Sequence, residues 1–188
     1  MVGKEARENQ ILLIALDEFI YKGYYGTSTR EIGKIAGLSS GALFHYFESK
    51  DALYHRIMKM GTDRILFNAE LARANPKEYL RKEVEAILEE MKKDIFVAKM
   101  VVFMGKAHYE IGISQGARLL LSKSGSFNQC LSIIEMGQKM NQFKKGDPLV
   151  LGITFFGALQ GIAQLIVHNF DIPLPKAEWL MDIISIKD

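Results

Sequence analysis

The residues from Thr29 to Leu53, TREIGKIAGLSSGALFHYFESKDAL, constrain this chain more than any other stretch. Ser28 and Glu31 form an S-x-x-E capping box, so the spacing predicts a helix starting at Ser28. Ile32, Ile35 and Ala36 fall at helical spacing and are expected on one inward face. Gly37 suits the left-handed backbone that closes a helix, and Leu38 can tuck under the turn. Ser39 is then a good N-cap for a second helix whose inward residues would be Leu43 and Phe47. A third, longer helical pattern begins at Lys50. Two short helices joined at a turn glycine make a helix-turn-helix pattern. An amphipathic pair in an ordinary bundle would share the apolar spacing. The capping box, the turn glycine and the polar outer face together favour the unit whose second helix enters the DNA major groove.

Further pieces stand in a fixed order around it. They are Tyr21-Lys22-Gly23-Tyr24, Thr27-Ser28-Thr29-Arg30, Ile35-Ala36-Gly37-Leu38-Ser39, Gly41-Ala42-Leu43-Phe44-His45-Tyr46-Phe47 and Ser49-Lys50-Asp51-Ala52-Leu53. In this order and spacing, the segment from Ala6 to His55 resembles the N-terminal domain of the tetracycline-repressor (TetR) family of bacterial transcriptional regulators. There are two departures. Gly33 stands where the family usually has alanine, and Phe44 where it usually has tyrosine, so a phosphate contact from that hydroxyl is missing. The resemblance implies an all-α protein of about nine helices. A three-helix DNA-binding domain over residues 1–50 would be followed by a C-terminal bundle over 51–188 for ligand binding and dimerisation.

Residues at the start of a recognition helix point into the groove, so Ser40, Gly41, Ala42 and Phe44 are the expected base-edge readers. Ser40 can donate or accept, Gly41 lets the backbone come close, and Ala42 and Phe44 can pack on a thymine methyl. Arg30 could reach a guanine edge or a phosphate. Thr29, Ser39, His45, Tyr46 and Lys50 are the expected phosphate contacts. The plainer readings are a surface role for His45 and half-buried packing for Phe44.

Composition agrees without naming a function. At 188 residues and 48% hydrophobic, the chain can bury a sizeable core. Four prolines and the lack of alternating β-branched runs favour helices throughout. The single Cys130 excludes an intrachain disulfide and fits a reducing cytoplasm, and no secretory signal is evident. Charge is less helpful. The whole chain is only +2, and the first fifty residues hold six cations and six anions. Position must therefore matter more than sum, with Arg30, Lys34 and Lys50 inside the motif.

An enzyme is disfavoured. His45, His55, His108 and His168 show neither i,i+4 pairing nor Cys/His clustering, and no G-x-S-x-G, P-loop or dinucleotide fingerprint is present. No catalytic residue, metal ligand or cofactor is expected.

Beyond Lys50 the patterns predict helices over about Lys50–Arg73, Pro76–Met91, Asp94–Glu110, Ser126–Met140, Leu149–His168 and Lys176–Ile186. A short helix with loops is expected between Gly112 and Gly125. Leu149 to Val167 runs 19 positions without a charge, which is long enough to span a membrane. Gln160, Gln164 and three glycines argue against a span. Val150, Thr154, Gly157, Gly161, Gln164 and His168 form a small, partly polar stripe, while Phe155, Leu159, Ile162 and Ile166 form a bulky one. One face in its own core and the other against a second copy would bury both, and relatives in the resembled family dimerise through their last two helices. Thr154, Gly157, Gly161, Gln164 and His168 are thus the expected homodimer interface.

The middle of the chain is rich in soft and aromatic side chains, which suits a pocket for a small, mostly apolar effector. Met100, Phe103, Met104, His108, Met136 and Met140 are its expected lining, although any helical core needs such residues. Two functions follow from this reading. One is a dimeric repressor that binds a pseudo-palindromic double-stranded operator and is released by the effector. The other is a DNA-binding regulator with no small-molecule effector, controlled by a protein partner.

Overall fold

The computed structural model describes residues 3–64, 67–123, 126–168 and 171–186. Among them the fold is all-helical, with eleven helices and one isolated antiparallel bridge, Phe143 to Ser185. The helices are α1 (Lys4–Gly26), α2 (Thr29–Ile35), α3 (Ser40–Phe44), α4 (Lys50–Arg64), α5 (Ala69–Ala72), α6 (Pro76–Lys93), α7 (Ile95–Ala107), α8 (Gln115–Lys123), α9 (Ser126–Lys139), α10 (Pro148–His168) and α11 (Ala177–Ile184). The number exceeds the expected nine partly because the pattern over Lys50–Arg73 is not one helix. Asn68 has an extended backbone and its side chain accepts from the N–H groups of Glu70 and Leu71, so it starts a new short helix.

The chain divides into two compact units, Met1–Arg64 with Val102–Lys123, and Ile65–Val101 with Ser124–Asp188. In the first, α1 packs on α2 and α4, α2 on α3, and α4 on α8. Ile11, Leu16, Ile32, Leu43, Leu53 and Ile57 are fully buried at its centre. An aromatic cluster completes it: Tyr54 meets Phe19, Tyr24 and Phe103 with ring centroids 5.0, 5.2 and 4.9 Å away. Such pairs add to what burial of the rings alone supplies.

In the second unit, α6 packs on α5, α9, α10 and α11, and α10 on α9 and α11. Leu80, Val84, Leu88 and Met91 form the buried stripe of α6, spaced by three or four residues as a helix face requires. Asn75 caps that helix by accepting from Glu78, with Pro76 at the first position. After α9 the chain turns tightly through Asn141, whose φ is 53°, and lays Phe143 beside Ser185. Lys144 then donates through Nζ to the carbonyls of Asp182 and Ile183, satisfying the exposed end of α11.

Candidate nucleic-acid interface

The helix-turn-helix forms from the local signals that predict it. Ser28 Oγ accepts from the Glu31 N–H at 3.2 Å, and Ser39 Oγ from the Ala42 N–H at 3.2 Å. Gly37 has φ 67°, and the Leu38 N–H closes the turn on the Gly33 carbonyl at 2.8 Å. Arg7 reaches from α1 to the carbonyl of Ala36 at 2.8 Å, tying the first helix to this turn. Two expectations change. Ile35 is 55% exposed, because the buried face of α2 is centred on Ile32, Gly33 and Ala36. Helix α3 stops at Phe44, so Leu43 is buried within it while Phe47 is half-buried beyond its end.

The expected DNA contacts divide by exposure. Arg30, Ser39, Gly41, Phe44 and His45 are exposed, and Thr29, Ala42, Tyr46 and Lys50 are half-buried. The side chain of Ser40 lies outside the described residues. Arg30 and Lys34 are exposed and have no ion-pair partner among the described residues, whereas Lys22 is engaged by Glu18 at 2.6 Å and Glu31 at 3.8 Å. Within the helix-turn-helix, exposed positive charge is thus placed on α2 by Arg30 and Lys34.

Lys50 is not the free arm that a phosphate contact suggests. Its Nζ donates to the carbonyls of Tyr24 at 2.7 Å and Thr27 at 3.0 Å, and lies 4.1 Å from the centre of the Tyr24 ring. It braces the C-terminal end of α1 against the start of α4. Other groups grip the same end. The Tyr24 N–H donates to Glu110 Oε1 at 3.0 Å, Lys106 Nζ to the Ile20 carbonyl at 2.6 Å, and the Tyr24 hydroxyl to Asp51. Burial first, and the Asp51 hydrogen bond second, raise the pKa of the Tyr24 phenol above its ordinary value, which keeps it a neutral donor. The clamp is needed because Gly23, with φ 71°, breaks the α1 backbone and frees carbonyls there. Sequence reasoning missed Glu110 and Lys106. Gly23 was the one signal for a helix end in need of partners.

On α10, Phe155, Leu159 and Ile166 are buried and Ile162 half-buried, as the bulky stripe predicted. Thr154, Gly157, Gly161, Gln164 and His168 are all exposed, alongside Val150, Ile153 and Leu165. A side-chain carbon built on Gly157 or Gly161 meets nothing within 4 Å, so neither glycine is required by packing among the described residues. Trp179 on α11 is 63% exposed as well. Helix α10 is long and apolar enough to cross a membrane by length and composition, with a mean hydropathy of 1.9.

The expected effector residues fall in both units. Phe103, Met104 and His108 belong to the first, and Met100, Met136 and Met140 to the second. Met100 is buried, Met104 and Met136 are half-buried, and His108 and Met140 are exposed. Phe103 is committed to the ring cluster with Tyr54 and Phe19, so a ligand reaches it only by parting those rings. A shallow recess of about 530 Å³ at the start of α8 is lined by Gln115, Gly116, Arg118 and Leu119, and by none of these six.

Residues 11–57 match the family model described as bacterial regulatory proteins, tetR family. The chain is 26% identical over 163 residues to the uncharacterized HTH-type transcriptional regulator YuxN of Bacillus subtilis (strain 168), covering 85% of this chain and 53% of that protein. It thus spans about half the length of the curated relatives it matches. A mutant of HlyIIR superposes with a TM-score of 0.74 at 22% identity, covering 100% of both chains. AibR, solved in complex with isovaleryl coenzyme A and operator DNA, gives 0.67 at 20% identity over 94% of each. At these identities the structural likeness is one of fold.

Proposed function

We propose that this chain, whose residues 11–57 match the family model for bacterial regulatory proteins of the tetR family, is a dimeric repressor of transcription released from its operator by a small, mostly apolar effector. The observation that carries the reading is the outer face of α3, where Gly41 and Phe44 are exposed while Leu43 is fully buried. An aromatic ring left half in solvent on a capped five-residue helix is available to a partner, and a major groove is the partner that a helix-turn-helix presents it to. Arg30 supplies charge from α2, which packs on α3, and residues 1–50 act as the DNA-contacting part.

The dimer is supported by the exposed stripe of α10. Thr154, Gly157, Gly161, Gln164 and His168 would meet the same stripe on a second copy, with the glycines allowing close helix approach. This accounts for an uncharged helix whose small, partly polar stripe is exposed among the described residues, and it fits action in the cytoplasm better than a membrane span. For the effector, Met100, Met136 and Met140, all in the second unit, are the proposed contacts. AibR, a protein of similar fold, was solved in complex with isovaleryl coenzyme A and operator DNA, which supports an acyl thioester as one candidate effector. Effector and DNA must then weaken one another by the same factor, typically ~1–3 kcal/mol of coupling.

The test is selection of duplexes from a random DNA pool by the purified protein at moderate salt. The expected product is a pseudo-palindrome whose half-sites lie about one helical turn, ~34–36 Å, or a small multiple apart. No enriched sequence would overturn the DNA-binding reading. With the selected duplex in hand, a panel of acyl thioesters and other apolar compounds tests release. An unchanged DNA affinity across the panel, with no shift in melting temperature, would leave the protein a regulator without a small-molecule effector.

A further inference from the structure

We propose that Gly41 and Phe44 form an apolar notch that reads the 5-methyl group of thymine, so that the operator is recognised largely by its methyls. The proposal rests on the DNA-binding reading above and specifies what the reading edge recognises.

The chemistry of α3 narrows the options. From Ser39 to Phe47 the chain holds no Arg, Lys, Asn, Gln, Asp or Glu. Those side chains supply the strongest hydrogen-bond readout: Arg and Lys on guanine, Asn and Gln on adenine, Asp and Glu on cytosine. The Ser39 hydroxyl already accepts from the Ala42 N–H. A serine in any case pairs with donors and acceptors alike, so it discriminates weakly. Among its described side chains, what α3 offers outward is apolar surface.

Two observations place that surface at one spot. Phe44 is 49% exposed although its neighbour Leu43 is wholly buried. Gly41 lies three residues earlier, on the same side of the helix, and is exposed. Its backbone is not in the left-handed region, and a side-chain carbon there would meet nothing within 4 Å. Among the described residues nothing crowds a larger side chain at this position, and glycine is among the poorest helix formers. A base edge approaching the backbone has a use for it. The bare backbone at Gly41 forms the floor of the notch and the Phe44 ring its wall. Among the four bases only thymine puts a methyl into the major groove.

The experiment takes the duplex enriched from random DNA and resynthesises it with deoxyuridine in place of thymine, one position at a time. Uracil keeps every hydrogen-bonding group of thymine and lacks only the methyl. Wild-type protein is expected to bind about fourfold more weakly at one position in each half-site, the loss of one buried methyl. Phe44→Ala should bind thymine and uracil duplexes equally, and Phe44→Tyr, which keeps the ring, should retain the difference. Gly41→Val should melt like the wild type and lose the operator. Equal binding of both duplexes by the wild type would overturn the notch, as would a thymine preference that survives Phe44→Ala. If no duplex is enriched at all, the DNA-binding reading itself fails and the notch falls with it.

Discussion

Lys50 grips Tyr24 twice, with Nζ 2.7 Å from its backbone carbonyl oxygen and 4.1 Å from the centre of its ring. A third contact to the Thr27 carbonyl at 3.0 Å leaves this ammonium holding the frayed end of α1 rather than reaching into solvent. Lys50→Met keeps the methylene stem and removes the charge. It should lower stability by about 1–2 kcal/mol, since hydrogen bonds from a charged donor are lost and two carbonyls are left without it. Urea denaturation reads this directly. An unchanged midpoint combined with a lower salt slope for DNA binding would return Lys50 to a phosphate.

Gly33 is a buried glycine in the middle of α2 where alanine fits. An added side-chain carbon would lie 3.4 Å from the Leu38 carbonyl oxygen and 3.8 Å from Leu43 Cβ, ordinary contact distances. Gly33→Ala should therefore stabilise the protein by ~0.5–1 kcal/mol through better helix propensity and a stiffer unfolded chain. A lower melting temperature would show that the turn cannot accept the methyl.

Nothing among the described residues lies within 4 Å of a side-chain carbon on Gly157 or Gly161, so Gly157→Leu or Gly161→Leu should leave the monomer folded. At the interface of two copies the same side chains overpack, at a cost of ~1–3 kcal/mol. Sedimentation should show a shift to monomer with normal helical content, and operator binding should fall with it. Wild-type protein that is already monomeric at micromolar concentration would remove α10 from the assembly.

Gly137 presents the opposite case. A methyl there would overlap the ring of Phe143, which is fully buried, so the clash falls on a rigid side chain. The turn also depends on the Gly137 carbonyl, which accepts from Gln142 at 2.8 Å and Phe143 at 3.2 Å. Gly137→Ala should destabilise by about 1–3 kcal/mol and loosen the bridge to Ser185. Amide exchange at Lys144, which donates to the Ile184 carbonyl, is the local readout.

Cys130 is fully buried, and burial pushes its thiol up to about 12 from the ordinary 9.0. The native protein should resist iodoacetamide at pH 8 and become reactive on unfolding. Because the folded pKa is the higher one, its contribution to stability is whole below pH 9 and declines as pH rises from 9 towards 12. Rapid native-state alkylation would contradict this environment.

Much of the helix-turn-helix was legible because its signals are local. A capping serine with its glutamate, a left-handed turn glycine and a second capping serine each act within four residues, so Ser28, Gly37 and Ser39 could be read in order. The two faces of α10 were legible for the same reason, since helical period alone separates Phe155 and Leu159 from Gly157 and Gly161. Ile35 was misplaced because period gives a stripe and not its centre. Which edge of α2 turns inward depends on how α1 and α3 press on it.

What the sequence by itself determined, then, was the set of helices around the turn, their caps, and the uncharged character of α10. The tertiary structure decided the employment of individual charges. The carboxylate of Glu110 and the ammonium of Lys106 lie 86 residues from the α1 groups they bind, and Lys50 lies 26 from Tyr24. No periodicity spans such distances. These side chains find the end of α1 because Gly23 leaves backbone groups there that must be satisfied, and folding brings the nearest polar groups to them.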